Sequence, residues 1–262
     1  MSRVTDEALA LIHDHIPNLR EIKVSKACIG LGFTGVKLST GHVGVCHSLL
    51  GELAPRCCQI VKRAGRLADS PAIDLANFAK SEYTSESVVG VAALNALSQV
   101  VLDKEKYLIT EGNFMDYLGE KVRKSNTVAL VGYIKPFIEV LRNKARYLYV
   151  FDRNPTLLDE QILPDTACEE FLPQADIVIV TGSSIANNTI DHVLELSQGA
   201  KEIGVVGPSA GVIPDPLFKR GVTIVGNIKA LNADRLLQII AEGGGTPQIK
   251  SAVKFINIRP KP

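Results

Sequence analysis

The sequence predicts an α/β protein in which a parallel-sheet domain, residues 105–262, follows a small α+β domain, residues 1–104. Two observations predict this class. In the second half, short apolar runs alternate with segments of helical spacing, which is typical of parallel strands joined by crossover helices. In the first half, β-type runs broken by glycine stand together and helices follow them, which is typical of an α+β domain. The boundary is predicted between Leu102 and Lys106.

The first half opens with a predicted helix, TDEALALIHDHI, for which Thr5 or Asp6 is the expected N-cap. Antiparallel strands with glycine turns are predicted next, in EIKVSKACIGLGFTGVKLS and HVGVCHSL. Two helices complete this half, SPAIDLANFAK and TSESVVGVAALNALSQVVL. The second of them has Thr84 or Ser85 before an acidic first turn and carries a long apolar face.

The second half supplies five predicted strands, namely TVALVG, RYLYVFD, DIVIVTG, EIGVVG and VTIVGN. Helical segments separate most of them: IKPFIEVLRN, TIDHVLELSQG, DPLFKRG and ADRLLQIIAEGGG. An irregular segment containing LLDEQIL follows the second strand. Crossovers between parallel strands are right-handed almost without exception, so we interpret this half as a Rossmann-like domain.

Composition argues against several function classes. The formal net charge is +1 and the chain contains no Trp, so we expect neither a nucleic-acid partner nor a membrane surface. Charged residues interrupt the apolar N-terminal segment, which excludes a signal peptide, and no apolar run approaches membrane length. The five cysteines form no CxxC pair, which favours reduced thiols in a cytoplasmic protein. A homodimer is the default expectation for assembly.

Small and polar residues follow every predicted strand of the second half. They are Gly132-Tyr133, Asp152-Arg153-Asn154, Thr181-Gly182-Ser183-Ser184, Gly207-Pro208-Ser209 and Gly226-Asn227. Parallel strands end at one edge of a sheet, where ligands of open α/β folds bind. Glycine lets backbone N–H groups approach a ligand, and helix N-termini favour anions. The sequence therefore predicts a ligand site at this edge, although capping of the helix near Thr189 by Asn187 or Asn188 would also account for those residues.

Asp152 stands twenty residues after Gly132, where dinucleotide-binding units carry the acid that holds a ribose hydroxyl. The glycine fingerprint is broken, because Tyr133 and Pro136 stand where a pyrophosphate needs small residues. A conventional NAD site is therefore not expected.

The residues that could hold a metal or act as a nucleophile form no complete set. On a strand, His42, Gly44 and Cys46 share one face and His47 lies on the other. Four strand steps span about 13 Å, so His42 and Cys46 could share an ion only across a kink, for which Gly44 is the candidate. Cys46 is otherwise a small core residue, and the adjacent Cys57 and Cys58 either bind a soft metal or pack near a turn.

Two stretches, ADIVIVTGSSIANNTIDHVLEL and VVGPSAGVIPDPLFKRGVTIVGN, resemble the Rossmann-like C-terminal domain of the putative heavy-metal chelation family, a domain of unknown function. VALVGYIKPFIEVLR and YVFDRNP are similar to its first two strands, and ACIGLGFTGVKLSTGHVGVC resembles its enolase N-terminal-like companion domain. The resemblance implies an interdomain cleft that binds a divalent or heavy-metal ion or another small ligand. Carried over residue by residue, it points to eleven ligand-binding positions: Asp152, Asn154, Thr181, Gly182, Ser183, Asn187, Asn188, Thr189, Gly207, Pro208 and Ser209.

None of these positions is a typical soft-metal ligand. The metal therefore either arrives as a complex or takes its ligands from Cys46, His42 or His47. Our first hypothesis is a binding protein for a metal or a small metal-bearing or anionic ligand. The alternatives are an enzyme that acts on a nucleotide-like or other small anionic substrate in the same cleft, and a scaffold within a larger complex.

Overall fold

The computed structural model describes residues 3–53, 61–102, 106–157 and 161–261. Within them, a three-stranded antiparallel sheet accompanies an eight-stranded sheet that is mostly parallel. The predicted α/β class is therefore confirmed. The predicted domain boundary at residues 104 and 105, and the adjacent Cys57 and Cys58, lie outside the described residues.

The first part of the chain builds the small sheet and the helices that cover it. Its elements are α1 (Val4–His15), β1 (Val24–Ile29), β2 (Phe33–Leu38), β3 (Val43–His47), α2 (Ala72–Ala76) and α3 (Thr84–Leu102). The strands pair in the order β1-β2-β3, and every neighbouring pair is antiparallel. The predicted strands and the two long helices are therefore present.

Gly44 marks the closest approach between β3 and α3. A Cβ atom at this position would lie 2.1 Å from the Ala92 carbonyl oxygen and 2.2 Å from the Ala96 nitrogen. The pairing of β2 with β3 runs without interruption through Gly44, so the kink considered for this residue is wrong. Glycine is required here because backbone packs directly on backbone.

The long helix α3 is apolar on nearly all sides. By length and composition alone it could cross a membrane, but 83% of that window is buried inside the protein. It packs against β2, β3, α1 and α2. A core helix that is covered on all sides shows the same composition as a membrane span, and burial accounts for the composition here.

The second part builds the large sheet. Its strands are β4 (Tyr107–Glu111), β5 (Thr127–Val131), β6 (Tyr147–Asp152), β7 (Leu163–Pro164), β8 (Ile177–Thr181), β9 (Glu202–Val206), β10 (Ile224–Ala230) and β11 (Val253–Pro260). Its helices are α4 (Phe114–Leu118), α5 (Lys135–Lys144), α6 (Cys168–Phe171), α7 (Ser183–Ala186), α8 (Ile190–Leu196), α9 (Asp215–Phe218), α10 (Ala233–Ala241) and α11 (Thr246–Ile249).

The strand order of the large sheet is β4-β11-β10-β9-β8-β5-β6-β7. Five strands were expected from the sequence, namely β5, β6, β8, β9 and β10, and they pair in parallel. Strand β11 runs antiparallel to both β10 and β4. Sequence reasoning missed β4, β7 and β11. Four of the five residues of β4 are exposed, and β7 has only two residues, so neither produces a buried apolar run.

One hydrophobic core joins the two parts. Buried residues of α1 and α3, such as Ile12 and Leu97, belong to the same cluster as Val180 of β8. The backbone N–H of Val4, at the start of α1, donates to both carboxylate oxygens of Asp191, at 3.1 and 3.2 Å. The expected N-cap role of Thr5 or Asp6 is wrong, because the N-cap residue is Arg3, two to three residues earlier, and a carboxylate from α8 satisfies this end of the helix.

Candidate functional site

A cavity of about 1060 Å³ lies at the carboxyl edge of the parallel strands. Residues at or just after the ends of β5, β6, β8 and β9 line it, and so does the segment 47–52 that leaves β3. Gly226 and Asn227 also line it, but they lie within β10, so the prediction that they follow this strand is wrong. Its walls include apolar side chains, while its polar groups are mostly amides, hydroxyls and backbone. A pocket of this size and character suits a small organic molecule.

The structure brings most of the predicted ligand-binding positions together in this lining. They are Asp152, Asn154, Thr181, Ser183, Asn187, Thr189, Gly207, Pro208 and Ser209. Gly182 and Asn188 do not line the cavity and have packing roles instead. The convergence follows from topology, since the parallel strands β5, β6, β8 and β9 all end at this edge.

Asp152 ties two loops of the rim together. One carboxylate oxygen accepts from the Tyr133 backbone N–H at 2.7 Å, and the other accepts from the Asn154 N–H at 2.8 Å. Gly132, just before Tyr133, has a φ of +101°, and a Cβ atom there would lie 2.5 Å from the Thr181 side chain. The acid therefore fixes the ends of β5 and β6, which is a positioning role that leaves lone pairs for a ligand.

Gly182 allows two loops of the edge to touch. Its Cβ atom would lie 2.4 Å from the Ala210 nitrogen, so the turn after β8 packs directly on the turn after β9. Beside it, the Thr181 hydroxyl donates to the Ser183 hydroxyl at 3.3 Å, and the Ser184 hydroxyl donates to the Thr181 carbonyl at 2.7 Å. Both serines line the cavity, and Ser184 is buried.

Asn187 and Asn188 do not cap α8, and that prediction is wrong. The N-cap residue is Thr189, and it makes no side-chain capping bond. The Asn187 amide instead donates to Glu52 at 3.0 Å and accepts from the Thr189 hydroxyl at 2.8 Å. Asn188 has a φ of +61° and donates to the Ser81 carbonyl at 3.2 Å. Both amides thus connect the large sheet to the first part of the chain.

The segment after β3 forms a wall that sequence reasoning missed. Glu52 at its end accepts from Asn187 and pairs with Arg153 at 3.3 Å. Arg153 also pairs with Asp165 at 3.1 Å, which links the wall to the ends of β6 and β7. Leu49 adopts a left-handed conformation, with a φ of +50°, where this segment turns. The local sequence pattern does not predict this wall, because the residues that Glu52 contacts lie a hundred residues or more away in the chain.

His47 brings an imidazole to the cavity. Its ring contacts Phe33 edge-on, with centroids 5.8 Å apart, and Nδ1 accepts from the Leu49 backbone N–H at 3.4 Å. Burial lowers the pKa of His47, and the Asp152 carboxylate partly opposes this effect. An acceptor role for Nδ1 places the proton of the neutral ring on Nε2. The ring keeps accessible surface because it faces the cavity.

The three metal-ligand candidates do not meet at one point. His42 bonds to the Thr40 hydroxyl at 3.0 Å and does not line the cavity. Cys46 is fully buried in the core, and burial raises the pKa of its thiol to about 12. A metal requires the thiolate, so Cys46 is a poor ligand in this setting. Across the described part of the chain, no group of three or more His, Cys, Asp or Glu side chains could hold an ion.

Aromatic and amide residues missed by sequence reasoning complete the lining. Five of the eight phenylalanines line the cavity: Phe33, Phe114, Phe137, Phe151 and Phe255. The rings of Phe114 and Phe137 stack at 5.9 Å with an interplanar angle of 3°. Asn257, on the unrecognised strand β11, also lines it. The sequence contains few aromatic residues, and they are far apart along the chain. Only the tertiary structure brings these phenylalanines together, so the sequence did not predict an aromatic lining.

Comparison with known proteins gives a consistent picture. Two family models match the chain, DUF4213 over residues 12–98 and DUF364 over residues 114–259, and both carry the description "Putative heavy-metal chelation". An uncharacterized protein of Methanocaldococcus jannaschii is 32% identical over 182 residues, which cover 68% of each chain.

Two solved structures of proteins of unknown function share the fold. The one from Pyrococcus horikoshii is 26% identical, with a TM-score of 0.80 and 98% of each chain covered. The one from Desulfitobacterium hafniense is 22% identical, with a TM-score of 0.77, and covers 97% of this chain and 98% of that one. With a family model matching more than half of its residues, the chain belongs to the DUF364 family, whose model is described as "Putative heavy-metal chelation".

Proposed function

We propose that the chain binds a small molecule in the cavity between its two parts, and that any heavy metal reaches it as a complex with that molecule. The observation that carries the proposal is the lining itself. It gathers amides, hydroxyls, phenylalanines and the His47 imidazole at one sheet edge, whereas no described cluster of side chains suits a bare ion. The family description is compatible with both forms of metal.

The size of the cavity favours an organic ligand over a bare metal ion. Metal ions in proteins sit about 2–2.6 Å from four to eight ligand atoms, which requires a tight set of donors. The cavity measures about 1060 Å³, at the upper end of the range of pockets that bury drug-sized ligands. An organic chelator would satisfy most of the metal's positions, and the protein would recognise the chelator.

His47 is the residue suited to complete such a complex. Its lowered pKa keeps the imidazole neutral near pH 7, and neutral imidazole is a metal ligand. With Nδ1 accepting from the Leu49 N–H, the neutral ring carries its proton on Nε2. Coordination through Nε2 would require the other tautomer, in which the proton lies on Nδ1 and the Leu49 bond is given up.

Native mass spectrometry of tag-free protein tests the proposal. We expect an organic adduct in a one-to-one ratio, with metal present only when the adduct is present. Ser183→Trp places an indole in the cavity and should remove the adduct, whereas Ser251→Trp, on an exposed turn outside the lining, should keep it. A bare divalent ion bound more tightly than about 1 μM to adduct-free protein, and unaffected by Ser183→Trp, would overturn the proposal.

A second candidate is an enzyme that acts on a nucleotide-like or other small anionic substrate in the same cavity. The specific observation that favours it is that His47 and Asp152 line the same cavity, since an imidazole and a carboxylate that both face a substrate can move a proton. His47→Gln should then abolish turnover while a thermal-shift response to the substrate remains. If the same substitution removes binding as well, His47 acts as a ligand and the enzyme reading loses its support.

A further inference from the structure

The cavity is elongated along the carboxyl edge of the large sheet. Residues of six consecutive strands line it, from Asn257 on β11, through β10, β9, β8 and β5, to Asp152 on β6. Neighbouring strands lie about 4.8 Å apart, so the lining extends for about 24 Å along the edge. Asp165 and Glu169, which follow β7, also line it. A ligand that fills the cavity therefore has two distant ends.

The end of the cavity near β10 and β11 is apolar. Its side chains, which we call the apolar end, are Phe33, Phe114, Ile228 and Phe255. Phe114 lies directly on β10, because a Cβ atom at Gly226 would be 2.6 Å from its ring. Phe33 and Ile228 belong to one hydrophobic cluster, against which Phe255 packs. This end suits an aromatic ring or an alkyl chain.

The opposite end, near β5, β6 and β7, is rich in carboxylates. The charged residues of this acidic end are Glu52, Lys135, Asp152, Arg153, Asp165 and Glu169, with His192 beside them. Arg153 pairs with Glu52 at 3.3 Å and with Asp165 at 3.1 Å, so two carboxylates share one guanidinium. Glu169 pairs with His192 at 2.5 Å. In the described lining, four carboxylates thus stand against two permanent cations, which leaves a negative potential at this end.

We propose that the cavity takes an extended amphipathic cation, whose ring or alkyl chain lies in the apolar end and whose ammonium group lies in the acidic end. The charge distribution sets this orientation, since Lys250 lines the cavity near the apolar end and repels a second cation there. Burial of the apolar part supplies most of the affinity, because partly hydrated charge pairs contribute less than about tenfold. This inference rests on the proposed binding function and names the chemical class of its ligand.

Isothermal titration of the full chain with three probes tests both length and charge. The probes are 4-phenylbutylamine, 8-phenyloctylamine and 9-phenylnonanoate. We expect the octylamine to bind at least about tenfold more tightly than the butylamine, because it buries four more methylenes. It should also bind at least about threefold more tightly than the nonanoate, which has the same chain and the opposite charge. Equal affinity of the two amines, equal or tighter binding of the nonanoate, or binding of no probe would overturn the proposal.

Glu169→Gln and its matched control Glu195→Gln locate the cationic group. Both glutamates approach His192 and both side chains are largely exposed, but only Glu169 lines the cavity. Glu169→Gln should weaken 8-phenyloctylamine about threefold and leave 4-phenylbutylamine unchanged, because the ammonium of the shorter amine stops short of the acidic end. Glu195→Gln should change neither affinity. Equal effects of the two variants, or equal effects on the two amines, would contradict the proposed placement.

The mass-spectrometric adduct separates this inference from the proposed function. An adduct that persists while the amines show none of these preferences leaves the binding function standing and defeats the cationic class alone. Absence of both the adduct and amine binding defeats both proposals.

Discussion

The two edges of the large sheet treat their polar groups in opposite ways. At the amino edge, Asp176 accepts from the Thr127 N–H at 2.9 Å and pairs with Lys201 at 3.0 Å. Glu202 pairs with Lys121 and accepts from the Thr223 hydroxyl at 2.7 Å. At the carboxyl edge, amides and hydroxyls surround a cavity beside the ion pairs of Arg153 with Glu52 and Asp165, and the Asn227 Nδ2 atom has no partner among the described residues.

Hydrogen-bonding capacity that the fold does not use is retained at the carboxyl edge. Charges at the amino edge satisfy one another across neighbouring strands, which secures the sheet and leaves little for a ligand. The groups at the carboxyl edge are held in position by backbone contacts, as Asp152 is, and keep free lone pairs or protons toward the cavity. Unsatisfied polar groups are costly, and two residues of the cavity lining, Asn227 and Asn257, each carry a buried side-chain atom without a partner among the described residues.

The largest effect is expected from Gly182→Ala at the carboxyl edge, and Gly199→Ala at the amino edge is its control. Gly182→Ala places Cβ 2.4 Å from the Ala210 nitrogen, so the two loops must separate, and we expect a loss of about 3 kcal/mol of unfolding free energy. Gly199→Ala, near the amino edge, meets nothing closer than the Pro173 carbonyl oxygen at 3.6 Å and should change stability by less than about 0.5 kcal/mol. Urea denaturation measures both, and equal losses would remove the contrast.

A smaller effect is expected from neutralising one carboxylate at each edge. Asp152→Asn and Asp176→Asn each replace an accepting oxygen by a donor amide, and we expect each to cost about 1–2 kcal/mol. Only Asp152→Asn should alter the mass-spectrometric adduct, because only Asp152 positions the cavity rim. Loss of the adduct in both variants would mean that general destabilisation, and not the rim, controls binding.

The smallest effect is a change in the pH dependence of stability. Because burial holds the pKa of His47 in the folded chain below its ordinary value of 6.5, the unfolded chain binds more protons as the pH falls through this range. Above about pH 6.5 the imidazole is neutral in both states and does not change the free energy of unfolding. Below that pH the unfolded chain takes up the proton more readily, so the free energy of unfolding falls. His47→Gln should flatten the fall in unfolding free energy between about pH 7 and pH 5. An unchanged slope would show that His47 titrates as it does in the unfolded chain.

The sequence predicted the residues of the carboxyl edge because they are adjacent to their strands along the chain. The predicted strands β5, β6, β8 and β9 each carry polar residues at or directly after their ends, and parallel pairing brings Asp152, Ser183 and Ser209 to one cavity. The rest of the lining arrives through contacts distant in sequence. His47 and Glu52 come from the small sheet, Asn257 comes from an antiparallel strand, and Asn188 bonds to Ser81 across the chain. Hydrophobic periodicity predicts single helices and strands, and it does not predict contacts between segments that are distant in the sequence.

Asn95 has a mechanical consequence. From the middle of α3, its single NH₂ group holds carbonyls of Val45 on the small sheet and of Pro208 and Ser209 on the large one. A clamshell motion of the two sheets would have to break this fully buried anchor, whereas the ion pair of Arg153 with Glu52 at the rim lies partly in water. A ligand should therefore enter and leave past this ion pair at the rim, while the two sheets stay in contact. Because salt screens an exposed ion pair, the exchange rate should rise with added salt.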